Sequence, residues 1–183
     1  MLEGNLVRLR AMEPEDLEDA LRWVNDREVT LWLTSLRYPM ALKDEQKWLD
    51  GAPANSFADG VRLAIETKDG KHIGGINLHR TNPEDRKAGL GIMIGEKDHW
   101  SNGYGTDAVL TLLKLAFDEM NLHRVWLQVF PDNERAIACY LKCGFREEGR
   151  LRQEVFQDGR YYDVIVMGVL NDEFGALQNS EPE

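Results

Sequence analysis

The sequence contains little cysteine and no cluster of histidines. Its 183 residues include two cysteines, Cys139 and Cys143, and four histidines. Two thiols four positions apart on one face of a helix are expected to stay reduced in the cytosol. The histidines lie far from each other and from the cysteines along the chain, so no motif has metal-ligand spacing. The sequence therefore predicts neither a disulfide framework nor a structural metal.

Long apolar runs are also missing. No stretch reaches the roughly 18 apolar residues of a membrane span, and the N-terminal residues lack the apolar core of a signal peptide. We therefore expect a cytoplasmic protein without a membrane partner. With 43% hydrophobic and 30% charged residues, the composition is that of a globular protein. We expect a single domain at 1–170, followed by a polar tail at 171–183 that frays.

Basic residues are too few to balance the acidic ones. The chain has 22 lysines and arginines against 32 aspartates and glutamates, a net charge of −10. Binding to nucleic acid needs a concentrated basic surface, so we expect no nucleic-acid partner. The acidity either favours cationic partners or only maintains solubility.

Hydrophobic periodicity predicts an α/β (α+β) chain. Strands are expected where apolar and polar residues alternate or where apolar runs are bounded by turns, at 6–10, 62–67, 72–79, 88–95, 124–130, 145–156 and 161–169. Helices are expected between capping residues and stop signals, at 13–24, 41–50, 104–120 and 133–142. The order β-α-α-β-β-β-α-β-α-β-β predicts a sheet of mixed direction with helices on its faces.

An anion site is predicted at 100–107, WSNGYGTD, between a strand and a long helix. Gly103 and Gly105 remove side chains that would block a close approach. The first free N–H groups of the helix point outward, and its dipole favours negative charge by about 0.3–1 kcal/mol. A diphosphate ligand is one interpretation, and a simple Asn-Gly turn is the other.

Two motifs resemble the GNAT superfamily of N-acetyltransferases. The coenzyme loop of that family usually reads Gln/Arg-x-x-Gly-x-Gly/Ala, and here it reads Trp100-x-x-Gly103-x-Gly105, so the first side-chain donor is missing. With tryptophan at this position, the loop resembles that of the branch formed by ribosomal-protein N-terminal (RimJ/RimL-type) and spermidine acetyltransferases. The second motif, Asn133-x-x-Ala-x-x-x-Tyr140-x-x-x-Gly-Phe145, also matches the family's helix.

The resemblance implies a fold and a set of site residues. It implies the acyl-CoA N-acyltransferase fold, with a mixed, largely antiparallel sheet of about seven strands flanked by helices, and acetyl-CoA as co-substrate. Tyr140 would stand beside the leaving sulfur as the catalytic residue. The implied coenzyme contacts are Ile92, Met93, Ile94, Trp100, Ser101, Asn102, Gly103, Tyr104, Gly105, Thr106, Asn133 and Lys142. Arg135 is a further candidate for a coenzyme phosphate, whereas Asn133 has helix capping as its structural alternative.

The proton of the acceptor amine needs a base that the sequence leaves unassigned. A lysine-like amine is only about one part in a thousand neutral at roughly pH 7.4, and attack on a thioester needs the neutral form. The similar branch often carries a glutamate where Gly89 or Leu90 stands here. Glu84, Asp85 and His79 lie nearby in the sequence, but a solvated loop residue or strand end is the favoured interpretation of each.

The acceptor remains open between a protein N-terminal α-amine, a small-molecule amine and a polyamine. A polyamine is disfavoured because Arg37, Tyr38, Pro39 and Arg80 stand where the polyamine branch is acidic. Trp23, Trp32 and Trp48 are core candidates, with the acceptor pocket as the alternative. A noncatalytic acyl-CoA sensor is a competitor from another class, and a homodimer is compatible with the sequence.

Overall fold

The structure, a computed structural model, describes residues 1–34, 38–50, 55–56 and 60–179, and of residues 48–50 only the backbone. Arg37 and the side chain of Trp48, both considered above, lie outside this part. Within it, the strands are β1 Leu2–Glu3, β2 Val7–Ala11, β3 Val61–Thr67, β4 His72–Asn82, β5 Lys87–Ile94, β6 Arg124–Val129, β7 Arg146–Gln157 and β8 Arg160–Leu170. They form one sheet in the order β1-β2-β3-β4-β5-β6-β8-β7.

Six α-helices accompany the sheet in the described ranges. They are α1 Leu17–Val24, α2 Arg27–Thr30, α3 Leu42–Asp50, α4 Tyr104–Lys114, α5 Glu134–Lys142 and α6 Asn171–Gln178. Short 3-10 turns at Pro14–Asp16 and Lys97–His99 precede α1 and the loop before α4, and a π-helical segment, Leu115–Glu119, continues α4. None of the described helices is long and apolar enough to cross a membrane.

The pairing of the strands opens the sheet at its centre. All neighbouring strands are antiparallel except β5 and β6. That parallel pair is short, because it joins Lys87 to Arg124, Ala88 to Val125 and Gly89 to Trp126 and then ends. Beyond Gly89, the edge of β5 that faces β6 therefore has free backbone N–H and C=O groups.

Alternation along the strands explains the core. Val125, Leu127 and Val129 of β6 are buried, whereas the residues between them are only partly buried. Helix α4 places Val109, Leu112 and other apolar side chains in the same buried cluster, as the helical spacing in 104–120 predicts. The mixed, largely antiparallel sheet flanked by helices is thus confirmed.

Three elements differ from the sequence prediction. β1 and α2 are new, and each is only two to four residues long. The tail expected to fray from Asn171 onward needs correction, because 171–178 form α6. The physical reason is Phe174, which is 3% exposed and packs on Phe117 with ring centroids 5.4 Å apart.

Candidate active site

A cavity of about 760 Å³ opens where β5 and β6 separate. Its lining includes residues of β5 and β6, the loop before α4, α5 along its length and the segment after α2. Ligand sites are expected where neighbouring strands diverge and helix N-termini converge. The cavity is therefore the candidate active site.

The loop before α4 is shaped to receive an anion. Gly103, with φ +87°, is the N-cap of α4 and adopts the left-handed conformation that glycine tolerates. The first intrahelical bond runs from the Asp107 N–H to the Gly103 carbonyl at 3.0 Å, which leaves the N–H groups of residues 104–106 without intrahelical partners. A Cβ on Gly105 would meet nothing closer than 3.9 Å, so the space in front of these donors is open.

The carboxylate of Asp107 fixes the start of α4. It accepts hydrogen bonds from the backbone N–H groups of Asn5, Leu6 and Val7 at 2.9, 2.7 and 2.9 Å. These bonds hold the first turn of α4 to the segment that enters β2. The loop is therefore anchored to the sheet before any ligand binds.

Trp100 holds the loop before α4 in place and supports Arg135. Its indole Nε1 donates to the Ile94 carbonyl at 2.7 Å, which joins the loop to the end of β5. The guanidinium of Arg135 lies over its ring, 4.0 Å from the centroid, and forms no ion pair with any described residue. The indole N–H at position 100 is already used by the Ile94 carbonyl, and Arg135 of α5 brings a side-chain donor without an ion-pair partner to the same place.

Helix α5 carries Asn133 and Tyr140 into the cavity wall. Asn133 Oδ1 accepts from the Ala136 N–H at 3.2 Å, so this side chain caps the helix. Tyr140 is 8% exposed, and its ring meets Phe145 edge-on. Burial raises the pKa of Tyr140 above its ordinary value of 10. The phenol is therefore protonated throughout the neutral range and is available as a hydrogen-bond donor.

Two thiols lie where α5 meets α4. Cys139 lines the cavity, and its Sγ accepts from Thr106 Oγ1 at 3.4 Å. Cys143 is fully buried, and its Sγ lies 3.7 Å from the Thr106 carbonyl oxygen. Contact with Cys143 and the hydroxyl of Thr106 lower the pKa of Cys139 below the ordinary value of a cysteine thiol. No group of three or more metal-ligating side chains occurs in the described part of the chain.

The structure gathers most of the predicted site residues around this cavity. Those in its lining are Ile92, Met93, Ile94, Trp100, Ser101, Gly103, Gly105, Thr106, Asn133, Tyr140 and Lys142, with Arg135 beside them. Asn102 and Tyr104 do not line it. The Asn102 amide turns back to the Asp98 carbonyl at 3.1 Å, and the Tyr104 ring packs on His99.

A second group of lining residues was not singled out as a group from the sequence. Asn77 and His79 of β4 and Trp126 and Gln128 of β6 face the cavity, on the side of the sheet opposite the buried residues between them. Trp32 faces them from the segment after α2 and packs edge-on against Phe130. Strict alternation along β4 and β6 is the signal that would have identified this wall.

Only some of the tryptophans and candidate bases considered from the sequence line the cavity. Trp23 is 2% exposed and belongs to the core, whereas Trp32 lines the cavity. Of the three base candidates only His79 is in the lining, because Glu84 and Asp85 lie on the exposed turn between β4 and β5. Arg80 joins the lining, and Tyr38 is 81% exposed.

The described lining of the cavity contains cations and no carboxylate. Arg80, Arg135 and Lys142 are its charged side chains. This contrasts with the net charge of −10 for the whole chain. A cavity with this charge suits an anionic ligand such as a coenzyme diphosphate.

Comparison with known proteins identifies the family. Residues 7–146 match the model of the Acetyltransferase (GNAT) domain. The spermidine N(1)-acetyltransferase of Vibrio cholerae is 32% identical over 94% of this chain and 96% of its own length. An uncharacterized N-acetyltransferase of Bacillus subtilis, YoaA, is 36% identical over 61% of this chain and 63% of its own length.

Solved structures agree with the sequence relatives. The crystal structure of spermidine N-acetyltransferase from Vibrio cholerae in complex with CoA and spermine has a TM-score of 0.85 and 27% identity, and the match covers 93% of this chain and 99% of that one. The free N–H groups of the loop, the unpaired guanidinium and the free edge of β5 all fit a coenzyme A ligand. The chain belongs to the GNAT family as an N-acetyltransferase that uses acetyl-CoA.

Proposed function

We propose that the chain transfers the acetyl group to a primary amine of low positive charge, either a protein N-terminal α-amine, as in the RimJ/RimL-type enzymes, or a small-molecule amine. The amine attacks acetyl-CoA directly while both are bound. The observation that carries this proposal is the charge of the cavity, whose described lining has three cations and no carboxylate. Cytoplasmic location and a homodimer remain predictions from the sequence.

The coenzyme is assigned to the wall formed by β5, the loop and α5. The edge of β5 at Ile92–Ile94 is not paired with β6, and its backbone groups other than the Ile94 carbonyl, which accepts from Trp100, are available to the extended amide arm of the coenzyme. The free N–H groups at the start of α4 face the diphosphate. Arg135 supplies a guanidinium that stacks on Trp100 and forms no ion pair with any described residue, and Lys142 adds a second positive charge in the lining.

Tyr140 is assigned to the leaving sulfur. Its phenol stays protonated because burial raises the pKa of Tyr140. With ordinary pKa values near 10 for tyrosine and 8.5 for a thiol, full proton transfer to the thiolate is uphill by about 2 kcal/mol. Its hydrogen bond to the developing thiolate is therefore the main stabilisation that it provides.

The acceptor is assigned to the opposite wall, which is aromatic and neutral apart from Arg80. Trp32 and Trp126 offer flat apolar surfaces, and Asn77 and Gln128 offer amide groups. A polyamine carries several positive charges and binds best where carboxylates neutralise them. The nearby Arg80 repels such a chain, whereas it tolerates an acceptor with one amine.

A polyamine is the second candidate, and two observations favour it. The Vibrio cholerae relative reported above is a spermidine N-acetyltransferase. Glu28, Asp132 and Glu134 line a shallow depression that adjoins the cavity and shares Trp32 with it. Glu28 is already paired with Lys97, whose Nζ lies 2.9 Å from its carboxylate, so this acidic rim is partly neutralised.

A panel of amines separates the two candidates. The protein is incubated with acetyl-CoA and, in turn, a short peptide with a free N-terminus, glucosamine, kanamycin or spermidine, and free thiol is followed. An N-acetylated copy of the peptide is the matched control. We expect the peptide or glucosamine to give the higher kcat/KM. A higher kcat/KM for spermidine would replace this proposal with the polyamine one, and thiol release with no amine above the control would contradict both.

A further inference from the structure

His79 occupies a position in the cavity that no assigned role explains. It lies on β4, is half-buried, and its ring meets that of Trp126 edge-on with centroids 6.0 Å apart. In the described structure neither ring nitrogen has a hydrogen-bond partner, although the residue lines the cavity. A half-buried imidazole without a partner is free to bind a ligand atom.

Glycines on the neighbouring strand make room for it. Gly89 of β5 stands opposite His79 in the register, and a Cβ on Gly89 would lie 2.7 Å from His79 Nε2. Gly91 does the same for Asn77, because a Cβ there would lie 2.5 Å from the Asn77 Oδ1 atom. The side chains of β4 therefore cover the surface that side chains of β5 would otherwise occupy.

The place of His79 is also the place where the sheet opens. Gly89 and Trp126 form the last pair between β5 and β6, and both contact the imidazole region. Nε2 thus lies at the inner end of the gap, on the wall assigned to the acceptor. The loop and Cys139 form the other wall.

Other titratable groups of the described lining are poorly suited to accept a proton. Arg80, Arg135 and Lys142 are cations, and the buried phenol of Tyr140 is a donor. Cys139 contacts Thr106 on the coenzyme wall. His99 lies before the loop and packs on Tyr104, so it is also on that wall.

We propose that His79 is the general base of acetyl transfer and that its Nε2 takes the proton of the acceptor amine. The proposal rests on amine acetylation but not on which amine is used. The amine nitrogen forms a bond to the acetyl carbonyl carbon, and the carbon–sulfur bond breaks with its electron pair left on the coenzyme sulfur. The surplus proton of the nitrogen goes to Nε2 and then to solvent, and Tyr140 donates a hydrogen bond to the sulfur.

The surroundings keep the imidazole neutral and ready to accept. Burial and, to a smaller extent, the positive charge of Arg80 lower the pKa of His79 below its ordinary value of 6.5. From β5 and β6 it is faced by Gly89 and Trp126, neither of which titrates. Activity should therefore fall as pH falls through this lowered pKa, because the protonated ring has no lone pair to accept a proton.

The test compares His79→Ala with the wild type, using the panel amine that the wild type acetylates fastest. We expect kcat to fall about 100-fold at neutral pH, with the KM for acetyl-CoA unchanged and with the fall in rate at acidic pH removed. Added imidazole should restore part of the rate by taking the proton in place of the missing ring. His123→Gln, which replaces an exposed histidine outside the cavity, is the control for loss of any imidazole.

Gly89→Ala tests the geometry with the histidine still present. Its Cβ must displace Nε2, so kcat should fall while the KM for acetyl-CoA stays the same. The proposal is overturned if His79→Ala keeps a rate within about 3-fold of the wild type with the acidic fall intact, or if a large loss is not relieved by imidazole. A wild type that acetylates no amine would instead refute the proposed function.

Discussion

The two walls of the cavity are built in different ways. The coenzyme wall uses backbone groups and helix ends from two stretches of the chain, residues 92–106, which run from the end of β5 through the loop, and helix α5. The acceptor wall uses side chains from three separate places, the segment after α2, β4 and β6. The first wall can thus be recognised as sequence motifs, whereas the second exists only after the sheet has formed. If this division is correct, a substitution on one wall should change the Kd or KM of the substrate bound there and leave that of the other substrate unchanged.

Tyr140→Phe should give the largest effect, because Tyr140 lies between the two walls and acts on the reacting sulfur. We expect kcat to fall about 100-fold, while the affinity for acetyl-CoA and the KM for the amine stay within about 3-fold. Because burial raises the pKa of Tyr140, ionisation of this phenol should not lower the wild-type rate up to about pH 10. Initial rates of thiol release across this pH range, with direct titration of acetyl-CoA, provide the measurement.

Tyr161→Phe is the matched control for this change, since Tyr161 is 62% exposed and lies on β8, away from the cavity. It should leave all three constants unaltered. A Tyr140→Phe protein that loses acetyl-CoA affinity in proportion to its rate would place the phenol on the coenzyme wall alone. A loss confined to the amine KM would place it on the acceptor wall.

Arg135→Met should have an effect of intermediate size, confined to acetyl-CoA. Its guanidinium stacks on Trp100 and has no ion-pair partner among the described residues, so its loss removes one charge-assisted contact to a phosphate. Such contacts are worth about 1.5–3 kcal/mol, which is about 10-fold or more in Kd. The dependence of acetyl-CoA binding on salt should also become shallower.

Calorimetric titration at two salt concentrations checks this, with Arg152→Met as the control, because Arg152 is an exposed arginine of β7 outside the cavity. The amine KM should stay constant in both variants. An amine KM that rises in Arg135→Met would show that this guanidinium serves the acceptor, and the division of the walls would then be wrong.

The same division explains what the sequence was able to predict. The long strands and helices have clear hydrophobic periodicity, and the loop and α5 have family motifs. The sequence therefore predicts the main elements of the fold and the position of the coenzyme wall. His79 was only one of three candidate bases, because its place depends on the register of β4 against β5, which shifts between His79 and Asn82. Helix α6 was missed because long-range contacts, among them Phe174 on Phe117 and Glu173 with Arg146, stabilise an otherwise polar segment.

Alkylation of Cys139 should give the smallest effect and the most direct test of the walls. Cys139 lines the cavity beside Thr106, while Cys143 is fully buried, so iodoacetamide should modify Cys139 alone. The rate should rise with pH as Cys139 ionises, at a lower pH than for an ordinary cysteine because its pKa is lowered, since only the thiolate reacts. Saturating coenzyme A should slow the reaction several-fold, whereas the acceptor amine alone should not. Mass spectrometry of the modified peptide follows both rates, and protection by the amine would contradict the assignment of Cys139 to the coenzyme wall.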